Sequence, residues 1–160
     1  MVNLTIWISL ALYALAVAVS FPGADPEKRQ RSYRMLWRLG CMFALLHVLC
    51  AFHLVHGWNH QIAVKHTIME TERVTGYRFE YGIYFNYLFL LIWAIDCFGK
   101  TTNNWWKRFV HAYMLFIIIS GTIVFEDGPI RYITFVVLAV LSILFYRGKR
   151  RHLQASSRPN

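Results

Sequence analysis

Five apolar stretches, residues 2–20, 35–56, 82–98, 109–125 and 131–146, occupy most of this 160-residue chain, and the segments between them are short or strongly basic. A helix needs about 20 residues at 1.5 Å each to cross roughly 30 Å of hydrocarbon, so each stretch is near the length of a membrane span. Inside lipid the backbone must satisfy its own hydrogen bonds, which for single short segments means helix. The expected fold class is therefore all-α, an integral membrane bundle of five transmembrane helices. Composition agrees, because 57% of the residues are hydrophobic and 16% are charged, too little polar surface to enclose such a core in water. A net charge of +9 in a soluble protein would point to nucleic acid. Here the apolar excess argues against nucleic acid and makes the lipid bilayer the first partner.

Residues 1–146 read as one transmembrane helical domain with a single sizeable loop, residues 57–81, and residues 147–160 as a basic, polar cytoplasmic tail. The last two spans are separated by Glu126-Asp127-Gly128-Pro129, residues suited to a tight turn between antiparallel helices. Ala18-Val19-Ser20 resembles a signal-peptidase site. However, no positive charge precedes the first apolar run, and Lys28, Arg29, Arg31 and Arg34 follow it, the reverse of what export of that segment favours. The first helix is expected to be retained.

Lys and Arg in short loops resist translocation, so the charge balance across the loops sets orientation. With the N-terminus outside and the C-terminus inside, only Lys65, Arg73, Arg78 and Arg131 of the 17 basic residues lie outside, leaving 13 inside. Trp37, Trp105, Trp106 and Tyr146 then fall near the inner boundary, and Trp58, Tyr77, Tyr81 and Tyr132 near the outer, as interfacial aromatic residues do. The expected location is a bacterial-type inner (plasma) membrane. The tail beginning Arg147-Gly148-Lys149-Arg150-Arg151 is expected to lie on anionic lipid of the inner leaflet.

Within the outer loop, Ile62, Ala63, Val64, Ile68 and Met69 recur as in an interfacial helix. Asn59 would cap its start and Gly76 would end it, provided Gly57 breaks it from the preceding span. The alternative is one unbroken helix from Met35 to Thr75.

Cys41, Cys50 and Cys97 all lie in apolar stretches and lack the spacing of a disulfide framework, a CxxC redox centre or a zinc finger. HExxH, GxGxxG, Walker and CxxCH motifs are absent from the chain. Chemistry must come from less regular constellations, and the foremost is histidine. At about 100° per residue, His53, His56 and His60 fall within roughly 60° of arc on one helical face. Three neutral imidazoles so placed would bind a divalent transition metal, Zn or Fe, with Glu80 or Glu126 completing the set and a water left for activation. The plainer explanation is that these rings occupy the headgroup region, where an apolar body with a polar tip is well accommodated.

Other polar residues have structural explanations close at hand. His66, Glu70 and Arg73 make a charged helical face. Glu80, Tyr84 and Tyr87, with Asn86 near, form a stripe at the outer end of the third span that would meet the histidine face or bond between helices. Asp96 and His111, at the inner ends of adjacent spans, are candidates for proton or substrate handling as ionisable residues in a membrane, although pairing of Asp96 with Lys100 would also account for it. His47 would be an axial ligand of b-type haem, but His111 lies about 12 Å away in depth. That mismatch argues against haem, and an interhelical hydrogen bond is the simpler role for His47.

Two functional classes follow from the sequence. One is a multi-pass membrane protein with an outward-facing histidine-lined metal site performing hydrolysis or oxidation. The other is a small non-enzymatic helical subunit or scaffold, its polar residues binding a membrane-protein partner or lipid.

Overall fold

The computed structural model of the protein describes residues 2–21, 25–99, 103–124, 132–143 and 146. Among them every regular element is helical, in the order α1 (Val2–Ser20), α2 (Pro26–Leu54), α3 (His60–Thr75), α4 (Gly82–Phe98) and α5 (Asn104–Ile119), the last continued by a π-helical turn, Ser120–Val124. A further helical stretch, α6, runs over Tyr132–Ile143. The all-α class holds. Two of these helices, α1 and α2, are long and apolar enough to cross a membrane. The turn 126–129, the tail 147–160 and Glu126 lie outside the described residues.

Helices α1 and α4 keep the bounds of their apolar stretches, whereas α2 starts well before residue 35. Asp25 accepts a hydrogen bond from the Glu27 amide at 3.1 Å and Pro26 occupies the first turn, a local start signal that needs no hydrophobic run. The basic residues that follow are good helix formers, so the helix continues through them into the apolar stretch. Its 29 residues make it about 43 Å long, longer than the hydrocarbon thickness. α5 likewise begins early, where Asn103 accepts from the Trp105 amide at 2.9 Å.

At its other end α2 stops at Leu54. Gly57 and Trp58 both take left-handed backbone angles, φ 55° and 59°, which a tryptophan adopts only at a cost of about 1–2 kcal/mol. The Trp58 indole N–H donates to His53 Nδ1 at 3.2 Å and its amide to the Phe52 carbonyl at 2.9 Å, contacts that offset the strain. The chain restarts at α3, with Asn59 accepting from the Gln61 and Ile62 amides, and ends on Gly76 at φ 73°. The break at Gly57, the Asn59 cap and the Gly76 stop are those the sequence leads one to expect, and the unbroken helix to Thr75 is ruled out.

α1 lies along α2, where Ser9, fully buried, donates to the Gly40 carbonyl at 2.8 Å. Trp93 of α4 is the centre of the core, its ring 5.5 Å from Trp37, 6.2 Å from Tyr13 and 5.4 Å from Phe89. Ala16, Cys41, Ala44, Cys97, Val110 and Met114 pack around it, so four helices share one core. α3 instead packs on the start of α4, burying Ala63 and Ile83. A β-carbon on Gly82 would stand 3.1 Å from Thr67 Cγ2, which shows how closely the two helices approach.

Candidate functional site

The ends of α1, α2, α4 and α5 divide the polar residues between two places. At the end holding the α1 start, His47 Nδ1 is 2.9 Å from the Val2 carbonyl and 3.4 Å from Thr5 Oγ1. With Nδ1 protonated it donates to that carbonyl, the interhelical bond expected of it.

The histidines of the α2–α3 junction go three separate ways. His53 is exposed and accepts from Trp58. His56 is half-buried with its ring 5.5 Å from His66 and 5.7 Å from Phe52; its Nδ1 is sealed from solvent without a hydrogen-bond partner. Burial, and secondly the charge of His66, hold the His56 pKa below its ordinary value. His60, on α3, shares a 3.1 Å hydrogen bond with the Tyr87 hydroxyl and packs against Tyr84. The tyrosine stripe of α4 therefore meets a histidine, but one from α3 rather than α2. Glu80 is exposed and stands 3.8 Å from Arg78.

Among the described residues no three His, Cys, Asp or Glu side chains gather as a metal would require. The physical reason is the left-handed pair Gly57 and Trp58. A 100° step per residue holds only along a continuous helix, and His60 belongs to the next one. The structure instead couples His56 to His66, a residue assigned by the sequence to a solvated face. Glu70 and Arg73 of that face do pair, at 2.9 Å.

At the opposite end the four helix ends line a half-open cavity of about 700 Å³. Ser20 comes from the last turn of α1, Arg29, Tyr33, Arg34, Trp37 and Arg38 from the first turns of α2, Asp96 to Gly99 from the end of α4, and Lys107, Val110 and His111 from the start of α5. Tyr33 and His111, 78 residues apart, share a 3.3 Å hydrogen bond between the phenol and Nε2. The His111 ring stands 5.1 Å from Trp37, edge on. Asp96 accepts from the Trp106 indole N–H at 2.8 Å; Lys100, its expected partner, is outside the described residues. Sequence reasoning found Asp96 and His111 but missed Tyr33 and Trp37. The signal was present in the Asp25-Pro26 start, which puts Tyr33 and Trp37 one turn apart on a helix.

No family model, curated protein or solved structure matches this chain.

Proposed function

We propose that the chain is a small, multi-pass membrane subunit that crosses the bilayer five times, N-terminus outside and C-terminus inside, and works by binding lipid and neighbouring helices. The observation that carries this reading is how little of its apolar surface is covered. In the most apolar window of α1 17% is buried, and in that of α2 22%, whereas a core helix of a soluble protein is mostly buried. Leu4, Leu15, Met42, Leu49, Leu91 and Phe116 all lie open on α1, α2, α4 and α5, an extent of exposed hydrocarbon that only lipid or another protein covers.

The shorter helices fit the same scheme. α4 has 17 residues, about 25 Å, the low end of what spans a bilayer. α5 has 16 and continues without interruption through the five-residue π turn. α6 leaves Ile133, Phe135, Val136, Val140 and Ile143 exposed, a lipid- or partner-facing surface. The clustering of Arg29, Arg34, Arg38 and Lys107 at one end accords with that end being the inner one. Alkaline-phosphatase and fluorescent-protein fusions test the topology. Phosphatase activity after Thr71 and fluorescence after Arg151 are expected; phosphatase activity after Arg151 would overturn the orientation or the fifth crossing.

A second reading is favoured by the unpartnered, solvent-sealed Nδ1 of His56 beside His66. In it the outward metal site persists as a two-histidine site for Zn or Fe, reached when the His56 ring turns its nitrogen outward, and serving hydrolysis or oxidation. His53 and His60, each engaged elsewhere, then contribute little.

A further inference from the structure

The cavity at the basic end combines features that ordinary positive-inside anchoring does not require. Basic residues that only fix topology need do no more than extend their charged heads to the headgroup layer. Here Arg29, Arg34 and Arg38 of α2 and Lys107 of α5 line one shared, half-open cavity. None of the four forms a salt bridge with another described residue. The acid of the lining, Asp96, is already engaged by Trp106. Like charges gathered around a low-dielectric wall focus a strong positive potential into the space between them, and such a grouping is stabilised by a bound anion.

The remaining lining defines which anion. Guanidinium groups bind phosphate oxygens through paired N–H donors, and Arg is suited to this in a way that a lone ammonium is not. The Gln30 amide adds a neutral donor, while the buried Trp37 indole closes the inner wall. The volume falls within the range of small-molecule sites. Phe98, 80% exposed, lines the cavity, and Met35, 57% exposed, lies on the same turns of α2. An amphiphile would place its charge inside and its chains against these side chains.

We propose that this cavity is a binding site for the phosphate headgroup of an anionic lipid, held by Arg34 and Arg38 with Arg29 and Lys107. The site rests on the membrane reading but not on which side is inner.

The test uses the purified full chain in detergent, offered an equimolar mixture of phosphatidylglycerol and phosphatidylcholine and weighed by native mass spectrometry. About tenfold more phosphatidylglycerol than phosphatidylcholine is expected to remain bound. The double variant Arg34→Gln, Arg38→Gln should lose that preference. Arg73→Gln with Arg78→Gln, the same change of charge at the far end, should keep it. Equal retention of the two lipids by the wild type, or an unchanged preference in the cavity variant, overturns the proposal. If the cavity variant does not fold, competition in the wild type decides. Soluble short-chain phosphatidylglycerol should displace the bound lipid and inorganic phosphate at the same concentration should not. Equal displacement by inorganic phosphate would assign the site to a free anion and overturn the lipid assignment. The fusions fail only with the topology, and lipid retention fails only with this site, so the two outcomes are distinguishable.

Discussion

The edge of the Trp93 indole lies on the backbone of α2 at Gly40, where a β-carbon would come within 2.9 Å of Cζ2 and 3.1 Å of Cη2. Trp93 is fully buried among Tyr13, Trp37 and Phe89, so the ring has no free direction in which to withdraw. The same glycine offers its carbonyl to Ser9 of α1, and one residue thus joins three helices.

Gly40→Ala should therefore destabilise the bundle even though alanine is the better helix former. Overpacking of this kind costs about 1–3 kcal/mol, more than the roughly 1 kcal/mol gained in propensity. Thermal unfolding in detergent should show a lowered midpoint, and Trp93→Phe should recover part of the loss in the double variant. A single Gly40→Ala protein as stable as wild type would show that Trp93 does not sit against Gly40.

The bond from the Trp106 indole to Asp96 ties the start of α5 to the end of α4 across their connection. Hydrogen bonds to charged groups contribute about 1.5–3 kcal/mol. Trp106→Phe should cost about that much, since it keeps most of the ring and removes the donor. Asp96→Asn retains an acceptor oxygen and should cost less. Equilibrium unfolding of the two variants checks the order; equal losses would mean that the carboxylate charge, not the donor, holds this corner.

Particular residues show why hydropathy located helices better than their ends. The bounds of α4 coincide with its apolar stretch, which Gly82 opens and Gly99 caps. α2 does not begin where its apolar residues begin, because Asp25 and Pro26 start a helix by capping while hydropathy records only where lipid begins. The histidine face failed for a different reason. Its geometry is local arithmetic, and two residues of left-handed backbone cancel it. Gly57 was visible as a break, but the positive φ of Trp58 comes from a contact with His53 that no propensity contains. The cavity was the least legible, since Tyr33 and His111 are 78 residues apart and only the packing of four helix ends around Trp93 brings them together.

Asn59 is where that broken junction is most simply tested. Its side chain accepts from two amides of the first α3 turn, at 2.9 and 3.3 Å. Asn59→Ala should cost about 1 kcal/mol, as loss of a helix cap does, whereas Asn59→Asp should be tolerated. Amide hydrogen exchange should rise at Gln61 and Ile62 in the alanine variant while α1 and α2 keep their protection. Faster exchange throughout the chain would mean that α3 is required for the bundle, not an addition to it.

His56 and His66 provide the test that separates the metal readings. Because burial and then the His66 charge favour neutral His56, its NMR titration midpoint should lie below the ordinary histidine value of about 6.5. His66→Ala should raise that midpoint part of the way. The unfolded chain takes up the proton first as pH falls through the ordinary value, so it binds more protons than the folded chain there and stability declines with acidification until the folded His56 also titrates. Added Zn competes for the same neutral rings, and its occupancy should fall over that interval. Metal content should drop in His56→Ala, His66→Ala and remain in His53→Ala, His60→Ala. Loss of metal from His53→Ala, His60→Ala and from His56→Ala alone, with metal kept in His66→Ala alone, would restore the ligand set His53, His56 and His60. Equal metal in all variants would leave the histidines as interfacial residues and the binding-subunit reading alone.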